Sequence, residues 1–219
     1  MNTMDNKILI ITGGKIEDGF LLNHVCKEKY TMIIAADHGL YAADRLNIKI
    51  DYILGDFDSV SQSLLDKYRK LSIPIQTFPI EKDKTDTQIA IELALMNNAT
   101  SIDIIGATGS RMDHVLANIH LLMLPMQLNI QASLIDSNNK VYLKNKNFTI
   151  MKEEQFGDYV SLLPFGDKVT GLTLTGFKYP LKHITYMAGH SLGISNVIKE
   201  ESGIIELSGG TLLVIEARD

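Results

Sequence analysis

Apolar and polar positions divide the chain into two halves with different patterns. In the first half, apolar runs alternate with segments in which apolar residues recur at helical spacing, as at Leu64, Leu65 and Tyr68. Apolar runs without strict alternation are typical of strands buried on both faces of a parallel sheet. The runs lie at residues 7–12, 31–35, 50–54, 73–78, 102–105 and 132–135. We therefore predict a three-layer α/β domain with a Rossmann-like parallel sheet between helices.

In the second half, from about residue 138, short β-type runs replace the helical spacing. Turns such as Gly157-Asp158 and Ser208-Gly209-Gly210 separate them, which is typical of an antiparallel sandwich. The runs lie at residues 141–143, 159–163, 169–175, 204–207 and 211–216. The predicted organisation is an α/β domain over residues 1–137, followed by a C-terminal antiparallel β-sandwich over residues 138–219.

One predicted helix, over residues 85–97, has a recognisable start. Thr85 and Gln88 have the spacing of a capping box, which places the first turn. The apolar residues expected to face the core are Ile89, Leu93 and Met96.

Composition narrows the class of protein. The 219 residues are 45% apolar and 21% charged, as is ordinary for a soluble globular chain. The net charge of -5 argues against a general nucleic-acid or anionic-membrane surface, and no apolar run approaches the length of a membrane span. The single cysteine, Cys26, cannot form an internal disulfide. We therefore expect a cytoplasmic protein in which Cys26 is a buried helical residue.

Acidic residues follow the ends of three predicted strands. In a parallel sheet, ligands bind beyond the carboxyl ends of the strands, near the point where the strand order reverses. Close carboxylates repel each other unless a cation joins them, and their oxygen atoms suit Mg²⁺. The residues are Asp37, Asp56, Asp58, Asp83 and Asp86. Their common edge predicts a metal–phosphate site, although each alone also suits a helix cap or loop.

The central pair of this group is Asp56 and Asp58, directly after the run at residues 50–54. If that strand stays extended, both side chains point the same way and can share a cation. The alternative is a solvated Asx-turn between a strand and a helix. This stretch by itself favours neither interpretation.

Basic residues and a glycine-containing segment lie near the acidic group. Lys82 and Lys84 flank Asp83, and the free amides of the helix that begins near Thr85 favour phosphate. For Lys84 we prefer a solvated side chain. The segment of residues 106–114 follows an apolar run, as a phosphate-binding loop does, but has neither the Walker A nor the Gly-x-Gly-x-x-Gly pattern.

Four polar residues of this region are candidates for the site. Arg111 could bind a phosphate through two hydrogen bonds, and Asp113 could orient Arg111 or a ribose. His114 is a candidate base or a structural partner. Asn118 faces either the site or the core.

Five short motifs occur in order across residues 35–198. They are Ala36-Asp37-His38-Gly39, Gly55-Asp56-Phe57-Asp58-Ser59, Lys82-Asp83-Lys84-Thr85-Asp86-Thr87, Gly109-Ser110-Arg111-Met112-Asp113-His114 and Gly193-Ile194-Ser195-Asn196. In this order, with an α/β half before a β-rich half, they resemble the bacterial type of the thiamine pyrophosphokinase family.

The resemblance implies transfer of a diphosphate group from ATP to the hydroxyethyl oxygen of thiamine, with AMP as the second product. It also implies Mg²⁺, ATP as co-substrate and a homodimer with thiamine between subunits. By motif match, the metal ligands are Asp37, Asp56, Asp58 and Asp86. The ATP contacts are Asp37, Lys82, Thr85, Arg111 and Asp113. The thiamine contacts are Ser195 and Asn196. The catalytic residues are Asp56, Asp58, Asp86 and Arg111, with Asp86 as a candidate general base.

The chain departs from the family pattern at one point. Some members carry a tryptophan just beyond the Ser-Asn pair that stacks on thiamine, whereas this chain has no tryptophan. Tyr186 and His190 are the candidates to replace it. Two other functions stay open. One is a Mg²⁺-dependent kinase or phosphohydrolase acting on another small alcohol. The other is a non-catalytic sensor of thiamine or a nucleotide.

Overall fold

The computed structural model describes residues 5–58, 60–78 and 83–219. The chain divides into two compact units, Met1–Ser137 and Asn138–Asp219. The strands of the first unit are β1 (Lys7–Ile11), β2 (Met32–Ala36), β3 (Tyr52–Gly55), β4 (Ile75–Thr77), β5 (Ser101–Ile105) and β6 (Gln131–Ile135). Its helices are α1 (Asp18–Lys27), α2 (Gly39–Arg45), α3 (Gln62–Lys70), α4 (Asp86–Met96), α5 (Met112–Leu121) and α6 (Met123–Gln127).

The strands of the first unit are parallel, in the order β4-β3-β2-β1-β5-β6. Four consecutive residues are buried in each of β1, β2, β5 and β6. Since successive side chains of a strand point to opposite faces, both faces of the sheet are covered. The predicted three-layer α/β architecture is confirmed. The order reverses between β1 and β5, so the crevice for a ligand lies beyond the carboxyl ends of these two strands.

Helix α4 begins as predicted but presents a different face to the core. The Thr85 hydroxyl oxygen accepts a hydrogen bond from the Gln88 N–H, which caps the helix. The buried residues are Ala90, Ile91 and Ala94, whereas Met96 is 80% exposed. The expectation that Met96 faces the core is therefore wrong. The two alanines allow α4 to approach β1, β2 and β3 closely, and this selects the face that carries them.

Helix α1 contradicts the expectation for the cysteine. Cys26 lies in this helix but is exposed. Leu21 is the buried residue of α1. A surface helix buries one narrow stripe, and Cys26, five residues after Leu21, lies outside it.

The second unit contains seven antiparallel strands. They are β7 (Asn139–Lys144), β8 (Phe148–Met151), β9 (Tyr159–Pro164), β10 (Lys168–Thr175), β11 (Leu181–Met187), β12 (Ser202–Glu206) and β13 (Leu212–Ala217). β13 pairs with β7 and β9, and the other four follow the order β11-β10-β12-β8. Residues from both sets share one apolar core, including Val160, Val169 and Val214. The predicted β-sandwich is confirmed.

Two strands of the sandwich have no counterpart in the predicted set. β8 and β11 are the outer strands of the four-stranded sheet. In β11, Lys182, His183 and Thr185 are exposed and interrupt the apolar pattern. Such polar residues are typical of edge strands. Because of them, the sequence of β11 has no continuous apolar run that would predict a strand.

No helix in the described ranges has the length and apolar character that crossing a membrane requires.

Candidate active site

Three carboxylates converge beyond the carboxyl ends of β2 and β3. Asp37 follows β2 directly, and Asp56 follows β3. One oxygen atom from each of Asp37, Asp56 and Asp58 lies within 4.8 Å of the other two. Because β2 and β3 are hydrogen-bonded neighbours, the residues that follow them meet at one edge of the sheet. We call these three residues the acidic cluster.

A turn, not an extended strand, brings Asp56 and Asp58 together. β3 ends at Gly55, and Phe57 adopts a left-handed backbone conformation with a φ of 57°. The Asp58 N–H donates to Asp56 Oδ1 over 3.2 Å, as in an Asx-turn, and the Phe57 side chain is buried. The strand therefore ends before Asp56, and the condition that it stays extended through Asp58 is not met. The Asx-turn and the convergence of carboxylates, treated above as alternatives, occur together.

Asp37 carries an oxygen atom without a donor. Its Oδ2 lies 2.9 Å from His38 Nδ1, but its buried Oδ1 has no hydrogen-bond partner within the described part of the chain. A buried carboxylate oxygen without a donor is costly unless a cation or ligand meets it. Three close carboxylates with one such oxygen fit a hard divalent cation such as Mg²⁺.

Asp86 is not one of the three carboxylates that converge in the described ranges. It is the first residue of α4 and lines the same cavity as Asp37. The neighbouring Thr85 uses its oxygen as an acceptor for the helix cap, so its hydroxyl hydrogen can still be donated to a ligand.

The two lysines near α4 have different outcomes. Lys84 Nζ lies 2.8 Å from Glu92 Oε2, so its side chain is paired along α4 and not simply solvated as expected. Lys82 lies outside the described residues, and its predicted ATP contact stays a prediction.

A cavity of about 620 Å³ opens beside Asp37. It lies at the crevice between the ends of β1 and β5, where the strand order reverses. Four segments line it, at residues 12–15, 36–38, 84–87 and 106–111, together with His114, Val115 and Asn118. The first of these segments was missed in the sequence, although its Gly13-Gly14 pair directly follows a predicted strand.

Side-chain hydrogen bonds with two other parts of the first unit hold the segment of residues 106–111 in place. Asn118, buried on α5, donates from Nδ2 to the Ala107 carbonyl oxygen over 2.9 Å. The Thr108 hydroxyl donates to Asp136 Oδ2 over 2.7 Å. Asn118 therefore lines the cavity and also holds its wall. Asp136, directly after β6, was not singled out from the sequence.

Arg111 and Asp113 form a two-point ion pair at the end of this segment. Arg111 Nε lies 3.2 Å from Asp113 Oδ1, and an Arg111 terminal nitrogen lies 2.6 Å from Oδ2. The hydrogen bonds from Arg111 lower the pKa of the Asp113 carboxyl to about 2. Both side chains are about two-thirds exposed, so the pair adds little stability. Its effect is to orient the guanidinium, which keeps further N–H donors for a phosphate.

The predicted thiamine contacts lie in the second unit and differ from each other. Ser195 is exposed and has a left-handed φ of 53°. Asn196 is buried, and its Oδ1 accepts from the N–H groups of Tyr179 and Val197, both over 3.0 Å. Its Nδ2 donates to the Tyr179 carbonyl over 2.8 Å. In this structure, the Asn196 side chain holds the loop together, whereas Ser195 faces outward.

The two candidates to replace a stacking tryptophan also differ. Tyr186 is 1% exposed and belongs to the apolar core of the second unit. Its hydroxyl donates to the His190 carbonyl and accepts from the Gly193 N–H, both over 3.1 Å. A buried ring cannot stack on a ligand without repacking, so Tyr186 supports the loop. His190 is exposed.

Comparison with known proteins identifies the family. A model of the thiamin pyrophosphokinase catalytic domain matches residues 24–134, and a model of the vitamin B1 binding domain of the same family matches residues 147–212. Thiamine pyrophosphokinase of Bacillus subtilis (strain 168) is 32% identical over 192 residues, which cover 88% of this chain and 90% of that protein. The chain belongs to the thiamine pyrophosphokinase family. The resemblance noted in the sequence is confirmed.

Solved structures of the thiamine pyrophosphokinase family have the same fold. The B. subtilis enzyme superposes with a TM-score of 0.87, covering 98% of this chain and 100% of the other. The protein of Geobacillus thermodenitrificans, 30% identical, gives a TM-score of 0.84 and covers 97% of this chain and 98% of the other.

Proposed function

We propose that this protein transfers the diphosphate group of ATP to the hydroxyethyl oxygen of thiamine, giving thiamine diphosphate and AMP. Family membership defines the reaction class. The observation that carries the proposal is the acidic cluster beside the cavity, with the buried Oδ1 of Asp37 unsatisfied by any described residue. A site for a cation next to a cavity for a polyphosphate is what this chemistry requires.

Mg²⁺ is the proposed metal. Asp37, Asp56 and Asp58 would hold it, and Asp86, on the wall of the same cavity, would complete the ligand set. Bound there, Mg²⁺ neutralises charge on the phosphate oxygens. This assignment rests on the close oxygen donors of the cluster, which match the preference of Mg²⁺ for carboxylates together with substrate phosphates.

The reaction is a displacement at the β-phosphorus of ATP. The thiamine hydroxyl oxygen forms a bond to the β-phosphorus, and the bond from that phosphorus to the oxygen bridging the α- and β-phosphates breaks. AMP leaves with the bridging oxygen. The hydroxyl proton passes to a carboxylate, for which Asp86 is our candidate. Arg111, with Lys82, would offset the charge that develops on the phosphate oxygens.

The two halves of the chain have separate proposed roles. Residues 1–137 would bind ATP through Asp37, Thr85, Arg111 and Asp113, and residues 138–219 would bind thiamine. The exposed side chain of Ser195 is suited to direct contact, and Asn196 would contribute by holding the loop that presents it.

A homodimer and a cytoplasmic location are further parts of the proposal. Met112 and Leu116 lie one turn apart on α5 and are 63% and 54% exposed, which suits an interface near the cavity. A single cysteine suits a reducing compartment.

Product analysis tests the proposed reaction. The protein is incubated with ATP, Mg²⁺ and thiamine, and phosphorus nuclear magnetic resonance identifies the products. We expect AMP and thiamine diphosphate in equal amounts, with neither formed when thiamine is omitted. Formation of ADP or free phosphate as the main product would replace the proposal with a simple kinase or a phosphohydrolase. Binding of ATP without turnover would indicate a sensor.

A further inference from the structure

The turn after β1 is a wall of the cavity to which no role has been given. It consists of residues 12–15, Thr-Gly-Gly-Lys, and precedes the region matched by the catalytic-domain model, which begins at residue 24. The turn follows the strand that borders the reversal of strand order. In an open α/β sheet, the turns after the two strands at such a reversal form the ligand crevice. The turn after β5 is its partner.

Backbone contacts join the two turns tightly. The Gly14 N–H donates to the Gly106 carbonyl over 2.8 Å, and the Thr12 N–H donates to the Ile105 carbonyl over 2.8 Å. A Cβ atom added at Gly14 would overlap the carbonyl oxygens of Gly106 and Thr108. The glycine is therefore needed for this close approach, and the two turns form one continuous wall.

Lys15 is the cation that this wall presents to the cavity. It lines the cavity and is exposed, and its ammonium makes no hydrogen bond or ion pair with any residue in the ranges 5–58, 60–78 and 83–219. Two other cations of the lining, Lys84 and Arg111, are paired with Glu92 and Asp113. Among these three, Lys15 is thus the one whose charge no described carboxylate offsets.

We infer that residues 12–15 are a second phosphate-binding segment, in which Lys15 binds the polyphosphate of ATP. The inference rests on the proposed function for the identity of the nucleotide. A triphosphate placed beside the acidic cluster needs compensating cations on its other side. Lys15 is suited to this because an ammonium on a flexible stem binds phosphate as a point charge.

Calorimetric titration of the whole protein with Mg²⁺-ATP, without thiamine, tests the inference. Lys15→Met removes the charge and keeps much of the length of the side chain. Lys29→Met is the matched control, because Lys29 is exposed and lies outside the cavity lining. We expect the Kd for ATP to rise about tenfold or more in Lys15→Met, and to change by less than about twofold in Lys29→Met.

Two further measurements separate a charge effect from a structural one. Magnesium tripolyphosphate, which lacks base and ribose, should lose affinity in Lys15→Met by a similar factor, and Lys15→Arg should recover most of the affinity. An ATP Kd in Lys15→Met equal to that of the wild type would overturn the inference. So would wild-type protein that binds neither ATP nor tripolyphosphate.

The outcome for the inference differs from that for the proposed function. If the wild type makes thiamine diphosphate and Lys15→Met binds ATP normally, the inference is wrong and the function stands. If Lys15→Met weakens ATP binding while the wild type makes no thiamine diphosphate, the inference stands and the function is wrong.

Discussion

Two groups of carboxylates in the first unit have opposite environments. Asp103, in the middle of β5, is buried, and three groups surround its Oδ2. Lys7 Nζ lies 2.9 Å away, the Tyr30 hydroxyl 2.6 Å and His24 Nε2 3.4 Å. In the acidic cluster, by contrast, no lysine or arginine of the described residues pairs with a carboxylate, and one buried oxygen of Asp37 lacks a donor.

The difference separates charge that stabilises the fold from charge that serves a ligand. Burial by itself would raise the pKa of Asp103, but the hydrogen bonds from His24, Tyr30 and Lys7 outweigh it and hold the pKa at about 2. The Oδ2 of Asp103 is thus occupied by protein donors and contributes to the stability of the fold. The acidic cluster keeps its oxygens free of lysine and arginine side chains among the described residues, and the Oδ1 of Asp37 without a donor there, so a divalent cation can bind.

The largest stability effect should come from removing the compensated charge. Asp103→Asn keeps the volume but removes the buried negative charge next to Lys7, Tyr30 and His24, so that Glu28, 2.8 Å from Lys7 Nζ, is the carboxylate still paired with that lysine. We expect the free energy of unfolding to fall by about 3 kcal/mol, measured by chemical denaturation. Asp66→Asn is the control, because Asp66 is half-exposed and pairs with Arg69 on the surface. If both variants have the same small effect, Asp103 is not a stabilising centre.

Mg²⁺ should stabilise the folded protein by binding to the acidic cluster. A ligand that binds only the native state adds about 2.7 kcal/mol at about 100 times its dissociation constant. We expect Mg²⁺ to raise the melting temperature of the wild type and of Asp103→Asn, but not of Asp37→Asn. An Asp37→Asn protein that responds to Mg²⁺ as the wild type does would place the metal elsewhere.

Acid should reduce the contribution of Asp103 to the free energy of unfolding. Because the folded pKa of Asp103 is about 2 and thus below the ordinary value, its contribution is present above the ordinary value and is lost as pH falls through the folded pKa. The difference in unfolding free energy between the wild type and Asp103→Asn should shrink by roughly 2 kcal/mol between pH 5 and pH 2. A difference independent of pH in this range would contradict the charge assignment.

The smallest predicted change in stability is an increase, and it concerns the acidic cluster. Without Mg²⁺, the carboxylates of the acidic cluster repel each other, so Asp56→Asn should leave stability unchanged or raise it by up to about 1 kcal/mol. Denaturation in the presence of a chelator measures this. A loss of stability as large as that of Asp103→Asn would remove the distinction between the two groups.

The sequence predicts the functional edge of the sheet better than the compensated centre. Strands buried on both faces are continuous apolar runs, and residues that follow neighbouring strands must meet, so Asp37 and Asp56 could be placed together. Asp103 lies within such a run and gives no local signal. Its partners Lys7, His24 and Tyr30 are far away in the sequence, and only the fold brings them near.

Local sequence patterns also fail to predict the structure where packing selects the buried face of a helix or where a strand lies at the edge of a sheet. The buried face of α4 follows from the small size of Ala90 and Ala94, not from the largest apolar side chains. The Asx-turn at Asp56 and the role of Asn196 within its loop depend on backbone geometry that spacing does not reveal. Spacing gives no signal for Lys15, because the contact between Gly14 and Gly106, which are far apart in the sequence, is what joins its turn to the cavity wall.

The most direct test of the acidic cluster as the metal centre of diphosphate transfer is the rate of AMP release by Asp58→Asn. The assay uses saturating ATP, thiamine and Mg²⁺, with the wild type and Asp66→Asn in parallel. Loss of one charged ligand should reduce the rate of Asp58→Asn by about 100-fold or more, while Asp66→Asn keeps the wild-type rate. Full turnover by Asp58→Asn would contradict the assignment of the cluster.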